Sequence, residues 1–196
     1  MSSEAASPRR APPAWPRIPA WTTSEGIFLA AMLVLAVFLR VVALDQVPPG
    51  MQHDEVFDSR FATLIRDGAR PVFFDENAGV APLFMYCVAI AFRLLGQTVW
   101  ALRLTSMALG VAGLLVAYLL LRELFGRRPA QIALAGLTIS FWHLFDSRVG
   151  LEPITIPVLA GLAFYAFWRA LRSASFLWYI IAGVCMALAS YGYHSG

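Results

Sequence analysis

Lysine is absent from this chain of 196 residues, and all 15 basic side chains are arginine. The pattern reads as GC-rich coding rather than selection at each site. Charge of either sign is scarce: 14% of residues are charged and 59% are hydrophobic. That balance excludes an ordinary soluble domain and implies an integral membrane protein. A net charge of +3 is too small to argue for a nucleic-acid partner. Only two cysteines are present, Cys87 and Cys185, in separate apolar segments. Their placement excludes a disulfide framework or a thiolate metal cluster and leaves two inert buried thiols. No internal repeat is evident.

What the chain does contain is a series of apolar runs. Residues 1–25 are rich in Pro, Ala and Ser, carry Arg9, Arg10 and Arg17, and read as a disordered basic cytoplasmic tail. Runs of spanning length follow at about 26–44, 100–121, 130–146, 153–171 and 176–194. The first is too long for a signal-peptide core and is taken as an anchor. A shorter run, 80–96, starts near Pro82 and carries Arg93. If it spans, the clusters RELFGRR and RALRS both move to the outside, against the tendency of cytoplasmic loops to collect arginine. Residues 45–99 are therefore expected to form one external loop with two surface helices, about 55–67 and 80–96. In the first, Val56, Phe57, Phe61, Leu64 and Ile65 share a side at helical spacing, and Asp58 falls on the polar side. Tryptophans fall near span ends, as aromatic belts require. The expected fold is all-α, with about five transmembrane helices and two external juxtamembrane helices in residues 26–196.

Acidic residues crowd on the expected external side. In MQHDEVFDSRF, Asp54 and Glu55 follow the turn Pro48-Pro49-Gly50. One reading is helix capping, with Asp54 as the N-cap and Glu55 and Asp58 favouring the positive helix start. The other is general-base work on a hydroxyl or amine acceptor. The two are compatible, because a capped residue is also a rigid one. A second set, Asp146, Arg148 and Glu152, lies between two apolar runs. Ionisable groups at a membrane edge are paired or functional; the plain alternative is an Arg148 salt bridge to Asp146 or Glu152. His53 and His143 read first as polar rim residues. A divalent cation on Asp54, Glu55 and Glu152 suits oxygen-ligand chemistry, but no spacing calls for one and no cofactor is assigned.

The order of these features is more specific than any one of them: a basic tail, a span, Asp-Glu at its end, an amphipathic helix, FFDENAGVAPLFMY, ALRLTSMALG, RELFGRR and SFWHLFDSRVGLEP. It resembles the N-terminal half of the GT-C-fold glycosyltransferases of the protein O-mannosyltransferase and aminoarabinose-transferase type, over about residues 26–196. The resemblance implies transfer of a sugar from a polyprenyl-phosphate carrier to a protein, lipid or glycan acceptor at the outer face of the plasma (inner) membrane, with inversion at the anomeric carbon. It implies Asp54 as general base, Glu55 as its partner or an acceptor-orienting group, and Glu152 as the acid before proline in the second external loop. A phosphate leaving group needs cationic or hydrogen-bonding stabilisation, for which Arg148, Arg103, Arg70 and, at the rim, His53 are candidates. Two features depart from the family. Val80-Ala81 stands where many relatives have a charged residue before proline, and the chain stops at YGYHSG where relatives continue, so a fragment of a longer enzyme, inactive alone, is expected.

Two rivals remain. A transporter or non-catalytic membrane protein would use Asp146, Arg148 and Glu152 to line a pathway, but it calls for polar or broken helices near mid-membrane. A hydrolase using two carboxylates ranks lower, because a lipid-facing site disfavours water as acceptor.

Overall fold

The computed structural model describes residues 20–76 and 79–192. Of the expected tail, residues 1–19 lie outside the described residues, and the first helix, α1, begins at Thr23. The order is α1 (Thr23–Val41), α2 (His53–Arg66), α3 (Leu83–Leu95), α4 (Val99–Phe125), α5 (Arg127–Ile139), α6 (Phe141–Asp146), a 3-10 turn (Glu152–Ile154), α7 (Thr155–Ser173) and α8 (Phe176–Gly192). Among the described residues there is no strand beyond a single antiparallel bridge, Phe74 to Val80. The all-α expectation holds.

Among the described residues, three helical stretches are long and apolar enough to cross a bilayer: Thr23–Val41, Val99–Phe125 and Glu152–Ser173. The expected span over 130–146 is broken at Ser140 into α5 and α6. A helix of 13 residues is about 20 Å long, short of the roughly 30 Å hydrocarbon core. The last run gives α8, an apolar helix described over 17 residues, Phe176–Gly192. The long helices thus account for three of the five expected spans.

Two ends of the bundle are stapled by charge. At one, Glu25 of α1 is fully buried and bonded to Arg122 of α4, while the Tyr118 hydroxyl donates to the same carboxylate at 2.7 Å. Arg127 donates to Thr22 and Ser24 there, and Glu123 pairs with Arg169 of α7. At the other end, the last residues of α1, the start of α4 and the turn before α7 meet α2. So α1 runs opposite to α4 and α7, which run parallel to each other with α5 and α6 returning between them. Between α4 and α7 the backbones approach through small residues: a Cβ on Gly161 would lie 2.8 Å from the Val116 side chain, and one on Gly113 would lie 3.5 Å from Val158.

α2 and α3 form the second layer. Phe61, Ala62 and Ile65 of α2 pack with Phe84, Met85, Val88 and Phe92 of α3 and with Leu102 and Ile154. The stretch between them closes on itself: Phe74 pairs with Val80, the Phe74 ring stacks on Phe61 at 4.0 Å, and Arg60 bonds Glu76. The surface helices are therefore 53–66 and 83–95, shifted slightly from the expected bounds. Their packing differs more. Val56 and Leu64 point outward at 52% and 43% exposure, while the buried stripe of α2 runs Glu55, Asp58, Phe61, Ala62, Ile65. Two acids occupy core positions of a helix whose apolar residues alone predicted another face.

Candidate active site

The site is built around the first turn of α2. Its N-cap is Gln52, not Asp54. The Glu55 carboxylate, at the third helical position, reaches back to accept from the Gln52 N–H at 2.9 Å, which satisfies one of the orphan donors of a helix start. Asp54 sits at the second position and points out, with 60% of its side chain exposed and the His53 Nδ1 at 3.4 Å. His53 is itself exposed and lies against the Phe57 ring at 4.9 Å.

Glu55 faces inward and is fully buried. Arg103 of α4, equally buried, grips it with Nε at 2.9 Å from Oε1 and Nη2 at 3.1 Å from Oε2, and the Gly150 N–H donates to Oε1 at 2.9 Å. Burial pushes the Glu55 carboxyl up, but the bonds from Arg103, Gln52 and Gly150 outweigh it and hold the group below the usual carboxylate range. The remaining Arg103 donors go to the carbonyls of Leu44, Pro48 and Gly50. One ion pair thus ties α2 to α4, to the loop leaving α1 and to the loop entering α7.

Arg148 follows the same pattern. Its two Nη groups donate to the carbonyls of Leu39, Arg40, Val42, Ala43 and Val47, which closes the end of α1 where carbonyls lack helical partners. No salt bridge to Asp146 or Glu152 forms. Burial, then the neighbouring Arg103 charge, lowers the proton affinity of its guanidinium. Arg103 and Arg148, both considered for a phosphate, spend their donors on protein acceptors. Arg70 lies beyond the far end of α2, roughly 20 Å along the helix from Asp54 by helical rise, where it bonds the Ala69 carbonyl and lines a hollow with Tyr86 and Arg93. Asp54, Glu55, Glu152, Arg103 and Arg148 are brought to one end of the molecule; Arg70 is not.

Asp58 is the residue that inspection of the sequence placed wrongly. It is 3% exposed, not the solvated side of a surface helix. The Glu152 backbone N–H donates to its carboxyl, and its Oδ2 is buried with no hydrogen-bond partner, as is Oε2 of Glu152. Burial first, then the charges of Glu152 and Asp54, push the Asp58 carboxyl up to about 8. The signal was present in its spacing: Asp58 lies three residues before Phe61 and seven before Ile65, on the stripe that enters the core. Among the described residues, no group of three or more His, Cys, Asp or Glu side chains is arranged to hold a metal ion.

Apolar helices long enough to cross a bilayer, with charged side chains gathered at their ends, are those of an integral membrane protein. The family model for the dolichyl-phosphate-mannose-protein mannosyltransferases matches residues 79–195, more than half of the chain. The chain belongs to this family of GT-C-type membrane glycosyltransferases. The matched stretch includes Arg103, Arg148 and Glu152 and stops short of Asp54, Glu55 and Asp58. No curated protein and no solved structure matches the chain.

Proposed function

We propose that this chain supplies the acceptor side of sugar transfer from a polyprenyl-phosphate carrier, with Asp54 as general base. The acceptor O–H gives its proton to the Asp54 carboxylate as its oxygen attacks the anomeric carbon. The bond from that carbon to the lipid phosphate breaks, the phosphate leaves with the electron pair, and the sugar inverts. The supporting observation is the contrast within one turn of helix: Asp54 is exposed while Glu55 beside it is buried and neutralised by Arg103. A base must be both accessible and fixed, and the ion pair fixes the turn that carries Asp54.

In this reading Glu55 positions rather than reacts, and Glu152 borders the acceptor. His53 stands beside Asp54 and can orient a hydroxyl. Arg103 and Arg148 enter through the shape they give the rim, since a direct phosphate contact by either requires release of a backbone carbonyl. A protein acceptor follows from the family's description. The site faces the external side of the plasma membrane, where a lipid-borne sugar meets a water-soluble acceptor.

The test replaces Asp54 with Asn in the intact membrane-embedded protein and follows mannose transfer from polyprenyl-phosphate-mannose to a peptide. General-base contributions run to about 10²–10⁴-fold, and a loss of that size with unchanged thermal unfolding is expected. Turnover near the parent's rate would remove Asp54 from the role.

A further inference from the structure

The end of α2 away from Asp54 carries a second polar arrangement, which sugar transfer does not use. A hollow of about 240 Å³ opens there between α2 and α3, lined by Ile65, Arg70, Tyr86, Ala89, Ile90 and Arg93. The four residues from α3 fall at positions i, i+3, i+4 and i+7, so one face of that helix forms a wall. Ile65 and Ala89 are buried and apolar, while Arg70 and Arg93 are the exposed, charged part of the lining.

The local fold holds both arginines against the hollow. The Tyr86 hydroxyl donates to the Pro71 carbonyl at 3.0 Å, which ties the chain beside Arg70 to α3. Arg93 donates to the Arg66 carbonyl at 2.9 Å, and Arg70 donates to the Ala69 carbonyl at 3.0 Å. A guanidinium has five N–H donors, so most of the donors of each group are left for a ligand. Arg66, beside them, pairs with Asp67 at 2.8 Å and bonds Gln97 at 3.0 Å. Among the described residues, Arg70 and Arg93 form no salt bridge, so two of these three guanidiniums lack a carboxylate at ion-pair distance.

The position of the hollow decides what fills it. α3 ends at Leu95, and α4, long enough to cross a bilayer, begins at Val99. α8 ends beside the same loop, where the Tyr191 hydroxyl donates to the Val72 carbonyl. The hollow is thus level with the ends of α4 and α8. Ile90 and Leu94, 60% and 77% exposed, carry apolar surface outward from its wall, and Trp100 is exposed in the first turn of α4, as at a membrane interface. Roughly 20 Å of helix separates Arg70 from Asp54, so a phosphate held here is not the leaving group of a transfer at Asp54.

We propose that this hollow binds the headgroup phosphate of an anionic phospholipid, with Arg70 and Arg93 on the phosphate and an acyl chain along Ile90 and Leu94. Arginine matches phosphate oxygens with paired donors, and basic clusters beside a span collect anionic lipids. The bound lipid pins the end of α2 and the start of α4 at headgroup depth. The inference stands whether or not Asp54 is the base.

The experiment uses the intact protein in vesicles of equal parts phosphatidylglycerol and phosphatidylcholine, with a photoreactive acyl chain on one lipid or the other. Phosphatidylglycerol should label α3 around Ile90 and Leu94, and phosphatidylcholine should label it far less. Equal labelling by both lipids, or phosphatidylglycerol label found away from α3, overturns the proposal. Native mass spectrometry then measures retained phosphatidylglycerol. Arg70→Gln and Arg93→Gln should each weaken retention about fivefold, and the double variant about twenty-five-fold. Arg60→Gln, an exposed arginine of α2 that pairs with Glu76 outside the hollow, should leave it unchanged. Retention unaltered in the double variant overturns the assignment to these arginines. Displacement of the label by an equal amount of polyprenyl phosphate would make the hollow a carrier site, and displacement by inorganic phosphate a site for soluble anions; either overturns the phospholipid. The labelling is read on the parent protein, so it decides the matter even where a variant fails to fold.

Discussion

At the scale of single residues, the fate of a charge here is decided by whether the fold brings it a partner. Glu55 and Asp58 occupy the same buried stripe of α2, three residues apart, yet Glu55 gains a guanidinium and two backbone N–H groups while Asp58 gains one backbone N–H and three carboxylate neighbours. Removing one member of a buried, hydrogen-bonded pair costs about 3–5 kcal/mol, because the survivor stays buried and charged. Arg103→Met should therefore unfold at markedly lower temperature than the parent. Adding Glu55→Met should recover much of the loss, since a matched apolar pair leaves no stranded charge. Thermal unfolding of the purified protein in detergent measures both, and a double variant no better than the single would show that the pair does not act as a unit. Asp58 has the opposite sign. Its carboxyl is raised above the ordinary range, so the stability present below about pH 4 in the unfolded-state range is lost as pH rises toward about 8. Asp58→Asn should accordingly stabilise the protein more at pH 8 than at pH 5.

At the scale of elements, what the sequence disclosed was periodicity, and what it concealed was which polar residues the periodicity includes. The long apolar helices α1, α4 and α7 were legible because composition alone specifies them. The same logic went only part of the way on α2: counting apolar residues grouped Val56 and Leu64 with Phe61 and Ile65 on one interfacial side, whereas the buried set follows the spacing 55, 58, 61, 62, 65. The error is physical, for a core position is defined by its neighbours, and Arg103 comes from 48 residues away. The break at Ser140 was hidden likewise, because an apolar run records hydrophobicity and not continuity. Close helix contacts were equally unreadable. A Cβ on Gly110 of α4 would fall 2.3 Å from Oγ and 2.7 Å from Cβ of Ser147, closer than real Cβ contacts allow. Gly110→Ala should destabilise by about 1–3 kcal/mol through overpacking. Ser147→Gly in the same chain, by removing the atoms in the way, should restore much of it. A Gly110→Ala protein as stable as the parent would mean that α4 and the turn after α6 separate without cost.

At the scale of the whole molecule, the two stapled ends differ in what their charges accomplish. At the Glu25 end, Arg122, Arg127, Arg169 and Arg172 meet only two described acids, Glu25 and Glu123, and Arg127 is met by the hydroxyls of Thr22 and Ser24. At the Glu55 end, acids outnumber what Arg103 can neutralise, and the surplus surrounds Asp54. An arginine-rich end without matching acids belongs on the cytoplasmic side of a membrane, where short loops retain positive charge. On that rule we propose that the opposite end, with Asp54 on its surface, is external, and because α1 runs opposite to the parallel α4 and α7, one orientation fixes every loop. The assignment is open to a direct measurement. With Cys87 and Cys185 replaced by alanine, a cysteine at Ser59 or Asp75 in the α2–α3 region should react with a membrane-impermeant maleimide added to intact cells. One at Arg128 should react only after the membrane is opened. The reverse pattern would turn the molecule over and place Asp54 on the side where arginine gathers, which would require a cytoplasmic donor and acceptor. The expected pattern leaves the exposed carboxylate on the same face as the ends of a lipid carrier and a soluble protein, the one surface where both substrates of a family member can reach it.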